Sequence, residues 1–166
     1  MIVAILFIVV FVVLQTTVLS GLQLFGAQPD VAMIILIYIA NRHGSLKGEV
    51  TAFGAGLLTD LLSGAPLGLF PAVYVPLAYL AGLTHNRVYT DPIIMPALFL
   101  LTAGLSKGLM LLLLGSVFGL QDAVTSVLAP GFLVELGMNV LLAPALFALM
   151  DMFGRITKGR RGSRGF

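Results

Sequence analysis

The stretch 44-GSLKGEVTAFGAGLLTDLLSGAPLG-68 decides how this chain is read, because it sets an acid, Asp60, on a glycine-striped apolar segment that ends at Ser63-Gly64-Ala65-Pro66-Leu67-Gly68. Every fourth position is small except the acid: Gly44, Gly48, Ala52, Gly56, Asp60, Gly64 and Gly68. Gly48, Ala52 and Gly56 form a small-xxx-small ridge, the pattern that lets another helix's backbone approach closely in a membrane. Gly64, Pro66 and Gly68 continue the same small-residue line and are grouped with it as helix-packing positions. A carboxylate at the centre of a membrane helix costs roughly 2.5–3.5 kcal/mol on insertion scales, so Asp60 requires either a packing partner or a task.

The rest of the chain explains why a membrane is the right frame. Hydrophobic residues make up 59% of the 166 residues and charged ones only 10%, with a mean hydropathy of +1.09. That balance excludes a soluble domain. Apolar segments fall at about 2–22, 29–42, 48–63, 67–84, 93–118 and 132–153, bounded by turn residues and charges. The fold expected is therefore an all-α integral membrane protein of six transmembrane helices with short loops, one domain over residues 1–153 and a basic tail over 154–166. The first segment lacks a basic leading region and a small-x-small cleavage site, and reads as an uncleaved span. Segments two and three are short, and need surrounding protein, local bilayer thinning or snorkelling of Arg42 and Lys47. Pro71, Pro76 and Pro144 predict kinks in segments four and six. With no Trp in the chain, Tyr38, Tyr74, Tyr79 and Tyr89 are the candidate interfacial anchors.

Charge fixes an orientation. With the N-terminus inside and six crossings, Arg42, Lys47, Arg87, Arg155, Lys158, Arg160, Arg161 and Arg164 all fall on the inner side, eight of the nine basic residues. The outer loops, about 23–28, 64–66 and 119–131, receive none. The positive-inside rule then places both termini in the cytoplasm. Arg155, Lys158, Arg160, Arg161 and Arg164 form a lipid-facing basic tail, each worth about 1 kcal/mol near an anionic leaflet.

The ninth basic residue, Lys107, lies inside segment five, with Glu135 near the outer start of segment six. Together with Asp60 they make three ionisable groups in the outer half, able to form one buried polar network. Such a network serves as a structural ion pair, a partner-binding site, or a substrate or proton site. A proton relay across the membrane is disfavoured, since His43 and His85 fall in inner loops and no second acid lies in the middle of a span. Gln28-Pro29-Asp30 reads as a helix start, Pro29 in the first turn and Asp30 facing the positive end of the helix dipole. Gln15, Thr16 and Thr17 read as polar glue in the first span. There are no cysteines, and no metal-ligand spacing, nucleophile elbow or phosphate-cradling loop occurs, so neither a cofactor nor an enzyme activity is expected. A short basic tail does not make a nucleic-acid-binding protein.

The order Leu14-Gln15-Thr16-Thr17, Gln28-Pro29-Asp30, Arg42-His43-Gly44, Phe53-Gly54-Ala55-Gly56-Leu57-Leu58-Thr59-Asp60 and Gly64-Ala65-Pro66-Leu67-Gly68 resembles the rod shape-determining membrane protein family MreD. The likeness covers about the first half, to residue 84, with His43 where the family often shows a second basic residue. It implies a non-enzymatic inner-membrane scaffold of the bacterial cell-elongation machinery. The implied direct partner is the bitopic shape protein MreC, with MreB, a peptidoglycan polymerase and a transpeptidase in the wider assembly. It also implies a fold similar to the substrate-binding subunits of energy-coupling-factor transporters. That similarity supplies an alternative, a transport subunit with a vitamin-type pocket near its outer face. The outer loops offer it only Gln23, Phe25, Gln28, Ser63, Gln121, Asp122, Thr125 and Ser126.

Overall fold

The computed structural model describes residues 27–85 and 93–159, with side chains as far as Met152. The expected first span, with Gln15, Thr16 and Thr17, lies outside the described residues, as do Arg87, Tyr89, Arg160, Arg161 and Arg164. The described residues are all-helical: α1 Val31–His43, α2 Ser45–Ser63, α3 Leu69–Leu83, α4 Ile94–Phe118, α5 Gln121–Leu128 and α6 Pro130–Gly159. Two of these, Ile94–Phe118 and Pro130–Met152, are long and apolar enough to cross a membrane by length and composition.

The core is built around α1. Its residues Val31 to Asn41 are all buried, which is where a helix that is apolar all round must sit. It packs against α2, α3, α4 and α6. With 13 residues at 1.5 Å each it is only about 20 Å long, well short of the roughly 30 Å of a bilayer's hydrocarbon layer. Surrounding protein accommodates this short helix.

Small residues set the close approaches. A Cβ on Gly56 would lie 2.5 Å from the Pro71 nitrogen, so α2 and α3 pack backbone to backbone there. A Cβ on Gly48 would fall on Ala40, which brings α1 equally close to the other end of the ridge. Ala52, between them, is fully buried. The ridge thus packs against two helices of its own chain. Gly64, Pro66 and Gly68 do not belong to it. Pro66 is exposed, nothing lies within 4 Å of a Cβ on Gly64 or Gly68, and both glycines have positive φ, 70° and 98°. They form the tight turn between α2 and α3, where the left-handed backbone excludes most side chains.

The contacts also give direction. α2 runs antiparallel to α1 and α3, with Gly48 at Ala40 and Gly56 at Pro71. α4 runs antiparallel to α6, with Gly104 at Leu136 and Gly108 at Phe132. α1 and α6 run parallel, since Asp30 meets Asn139 and Arg42 meets Asp151. The five longer helices therefore alternate in direction along the chain. Arg42 and Lys47 lie at one end, and Arg155 and Lys158 stand on the last turns of α6 at that same end.

Several sequence expectations need correction. The outer loop expected at 119–131 contains α5, an eight-residue helix with Gln121, Asp122, Thr125 and Ser126 exposed and Val124 set against Gly115. Its polar face and short length hide it from a search for apolar runs. α6 starts earlier than expected and continues to Gly159, so the first part of the supposed tail is helical. Pro71 lies in the first turn of α3, where its missing N–H breaks no helical bond. Pro76 and Pro144 do lie inside their helices.

Candidate functional site

Apart from Asp60, the polar side chains buried in this apolar body gather at the two ends of α1. At its N-terminal end, Asp30 is the N-cap of α1, its Oδ1 accepting from the Met33 N–H at 2.9 Å. Pro29 thus precedes the cap instead of occupying the first helical turn, and Asp30 does more than face a dipole. Its Oδ2 accepts from Lys107 Nζ at 2.6 Å, and the Tyr74 hydroxyl donates to both oxygens, at 2.9 and 2.8 Å. The Asp30 backbone N–H donates to Asn139 Oδ1 at 2.7 Å. Lys107 completes the cluster by donating to Glu135 Oε1 at 2.5 Å.

Four helices supply this cluster, and each position follows from local sequence. Lys107 projects from α4 between Gly104 and Gly108, the two points where α6 comes closest. Glu135 and Asn139 are one turn apart on α6, so both face α4 and α1. Tyr74 reaches Asp30 from the second turn of α3. Two carboxylates face one ammonium, and the Asp30 charge is further met by a hydroxyl and a backbone N–H. Asp30 and Lys107 side chains are 5% and 8% exposed and that of Glu135 is 22% exposed. A charge removed from water to this degree is held only by partners, which these groups supply to one another.

Asp60 is not part of this network. It is buried, with Oδ2 accepting from the Gly68 N–H at 2.6 Å and Oδ1 from the Phe70 N–H at 3.0 Å. Those are orphan donors at the start of α3, where Gly68 has no side chain to cap them. The acid on α2 caps the next helix from outside, a charge-assisted pair that the helix dipole reinforces. The sequence grouping of Asp60, Lys107 and Glu135 is therefore corrected to Asp30, Lys107 and Glu135. The reason is depth. α1 is short and enclosed, so its N-terminus is drawn in to the level of Lys107, while Asp60 lies one turn of α3 farther out, at Phe70 instead of Tyr74.

At the C-terminal end of α1, Arg42 of α1 and Asp151 of α6 form a salt bridge, and the Tyr38 hydroxyl donates to Asp151 Oδ1 at 2.5 Å. The Arg42 guanidinium lies 5.8 Å from the centre of the Tyr38 ring, which itself packs edge-on against Phe147. Asn41 Nδ2 donates to Thr84 Oγ1 at 2.9 Å, and His85 Nδ1 contacts the Asn41 carbonyl at 2.8 Å. Sequence reasoning set Arg42 at the inner end of segment two as a snorkelling charge and passed over Asp151. The available signal was the lone acid at the inner end of an apolar helix, facing a cation placed at the same depth by topology. Tyr74, expected as an interfacial anchor, is instead buried with its hydroxyl on Asp30, and Asn139 was legible only as polar atoms that need partners once buried.

Chemically, both clusters pair donors with acceptors across helices, so the arrangement ties α1, α3, α4 and α6 together. Among the described residues no group of three or more His, Cys, Asp or Glu side chains could hold a metal ion. A crevice of about 150 Å³ opens between α3 and α4, lined by Ile37, Leu77, Ala81, Phe99, Thr102 and Ser106 among others.

A family model described as rod shape-determining protein MreD matches residues 1–153 of the chain. The chain belongs to the MreD family. As a family member it has a role in rod-shape determination, in a family of membrane-associated structural shape proteins that is not a known enzyme family. No curated protein and no solved structure shows a significant match to this MreD chain.

Proposed function

We propose that this chain is a multi-pass scaffold of the bacterial inner membrane, with both termini in the cytoplasm, that binds the bitopic shape protein MreC. Through MreC it contributes to the elongation assembly containing MreB and the peptidoglycan polymerase and transpeptidase. The observation that carries the reading is the family match across the whole helical body. The buried ions support it, since they are spent on one another and on helix ends instead of on an open pocket. Alternation of helix direction, with the basic residues Arg42 and Lys47 at one end, supports six crossings and a fold like that of the energy-coupling-factor substrate subunits.

Co-expression with an MreC-like bitopic protein, purification in mild detergent and native mass spectrometry test the proposal. The expected result is a stoichiometric complex. Recovery of the chain alone with a retained small metabolite would overturn it in favour of a transport subunit.

A further inference from the structure

The faces turned outward from the helices differ in length. On α4, Ile94, Leu98, Leu101, Leu105, Leu109, Leu113 and Val117 are exposed at helical spacing, an unbroken apolar stripe of about 35 Å along the axis. On α2 the exposed apolar residues run from Val50 through Phe53 to Leu61 and Leu62, about 18 Å, or about 24 Å when Leu46 is included. The neighbouring α3 has 15 residues and is about 22 Å long.

Neither end of the α2–α3 side can lengthen this belt. At the inner rim Lys47 is exposed, placed to meet lipid phosphate, with Glu49 beside it. At the outer rim the chain turns through the exposed Ser63, Gly64 and Pro66, with a single apolar side chain, Leu67, exposed beyond Leu62 before Gly68.

We propose that phospholipid acyl chains clothe the α2–α3 side in a hydrocarbon layer thinned to match this short belt. The chain then sits in the bilayer as a wedge, thin along α2–α3 and of full thickness along α4. A mismatch of this kind is met by deforming lipid, because Gly48 locks α2 to α1 and Gly56 locks α3 to α2, so neither can slide to expose more apolar surface. The inference rests on the membrane-spanning reading above.

The chain has no Trp, so one introduced Trp reports depth without background. Leu62→Trp probes the edge of the short belt and Leu105→Trp the middle of the long one; both positions are exposed. Alkali-resistant insertion of the parent chain in vesicles is checked first, and its absence overturns the membrane-spanning reading itself. In phosphatidylcholine vesicles with chains from about 14 to about 22 carbons, Leu62→Trp is expected to keep an interfacial emission wavelength throughout. It should be quenched more by lipids brominated near the headgroup than by those brominated near the chain ends, and Leu105→Trp should show the reverse. A blue shift of Leu62→Trp that grows with chain length, or stronger quenching from the chain ends, overturns the proposal. So does protection of Leu62→Trp from every brominated lipid, which would mean that protein covers α2.

Discussion

Asp60 and Lys107 show how differently two buried charges can be held. Asp60 meets two backbone N–H groups and, among the described residues, no cation, so its removal leaves those partly buried donors without their acceptor, at about 1–3 kcal/mol each. Asp60→Leu should therefore lower stability by about 2–4 kcal/mol, measured as thermal or denaturant unfolding in detergent micelles. If Asp60→Leu unfolds like the parent, the acid is not a cap. Lys107 has the opposite dependence on context. Lys107→Met strands two carboxylates and should cost about 3–5 kcal/mol, while the triple change Asp30→Asn, Lys107→Met, Glu135→Gln should recover most of that loss. The same unfolding assay reads both, and a triple variant no better than the single one would show that the charges are not coupled. Of the residues in this cluster, Lys107 and Glu135 were legible in sequence because a charge on an apolar segment is conspicuous. Asp30 was legible only as a helix start, since its depth depends on how far the short α1 is drawn into the body.

Among the elements, α2 carries most of the information that sequence alone could yield. Its ridge was readable from spacing, yet spacing does not say which neighbour a small face meets. The structure assigns one end to α1 and the other to α3, and moves Gly64 and Gly68 from packing to turning. Two substitutions separate these roles. Gly56→Val would drive a side chain into the Pro71 backbone and should cost at least as much as ordinary overpacking, about 1–3 kcal/mol. Gly54 lies two residues away on the open face, with nothing within 4 Å of a Cβ. Gly54→Ala should leave the fold intact and gain about 0.5–1 kcal/mol of helix stability. Equal losses from both changes would mean that α2 does not pack through Gly56. α5 marks the limit of this kind of reading, because an eight-residue helix with a polar outer face leaves no long apolar run to find.

For the whole molecule, the expected orientation rests only on the count of charges between segments. The helix directions agree with alternate crossings, although α1 and α3 are too short to announce themselves as spans. The absence of cysteine makes the orientation directly measurable. A single Ser63→Cys should react with a membrane-impermeant maleimide added to intact cells, and Lys47→Cys should react only after the membrane is opened. Labelling of Lys47→Cys in intact cells would reverse the topology. What sequence could not supply was the pairing of ions across helices, which depends on relative depth and rotation, quantities set by packing and not by any local pattern.

The central position of α1 also has a consequence for how the protein is made. The side chains that satisfy its two polar ends are synthesised long after it: Lys107 and Asn139 follow Asp30 by 77 and 109 residues, and Asp151 follows Arg42 by 109. A helix of 13 residues with an acid at one end and an arginine at the other is a poor passenger for lipid on its own. α2 and α3 can pack on α1 as soon as they follow it, but on the membrane-spanning reading its two polar ends meet these partners only once α4 and α6 emerge. The surroundings of the first described helix are therefore complete only when nearly the whole chain has been made.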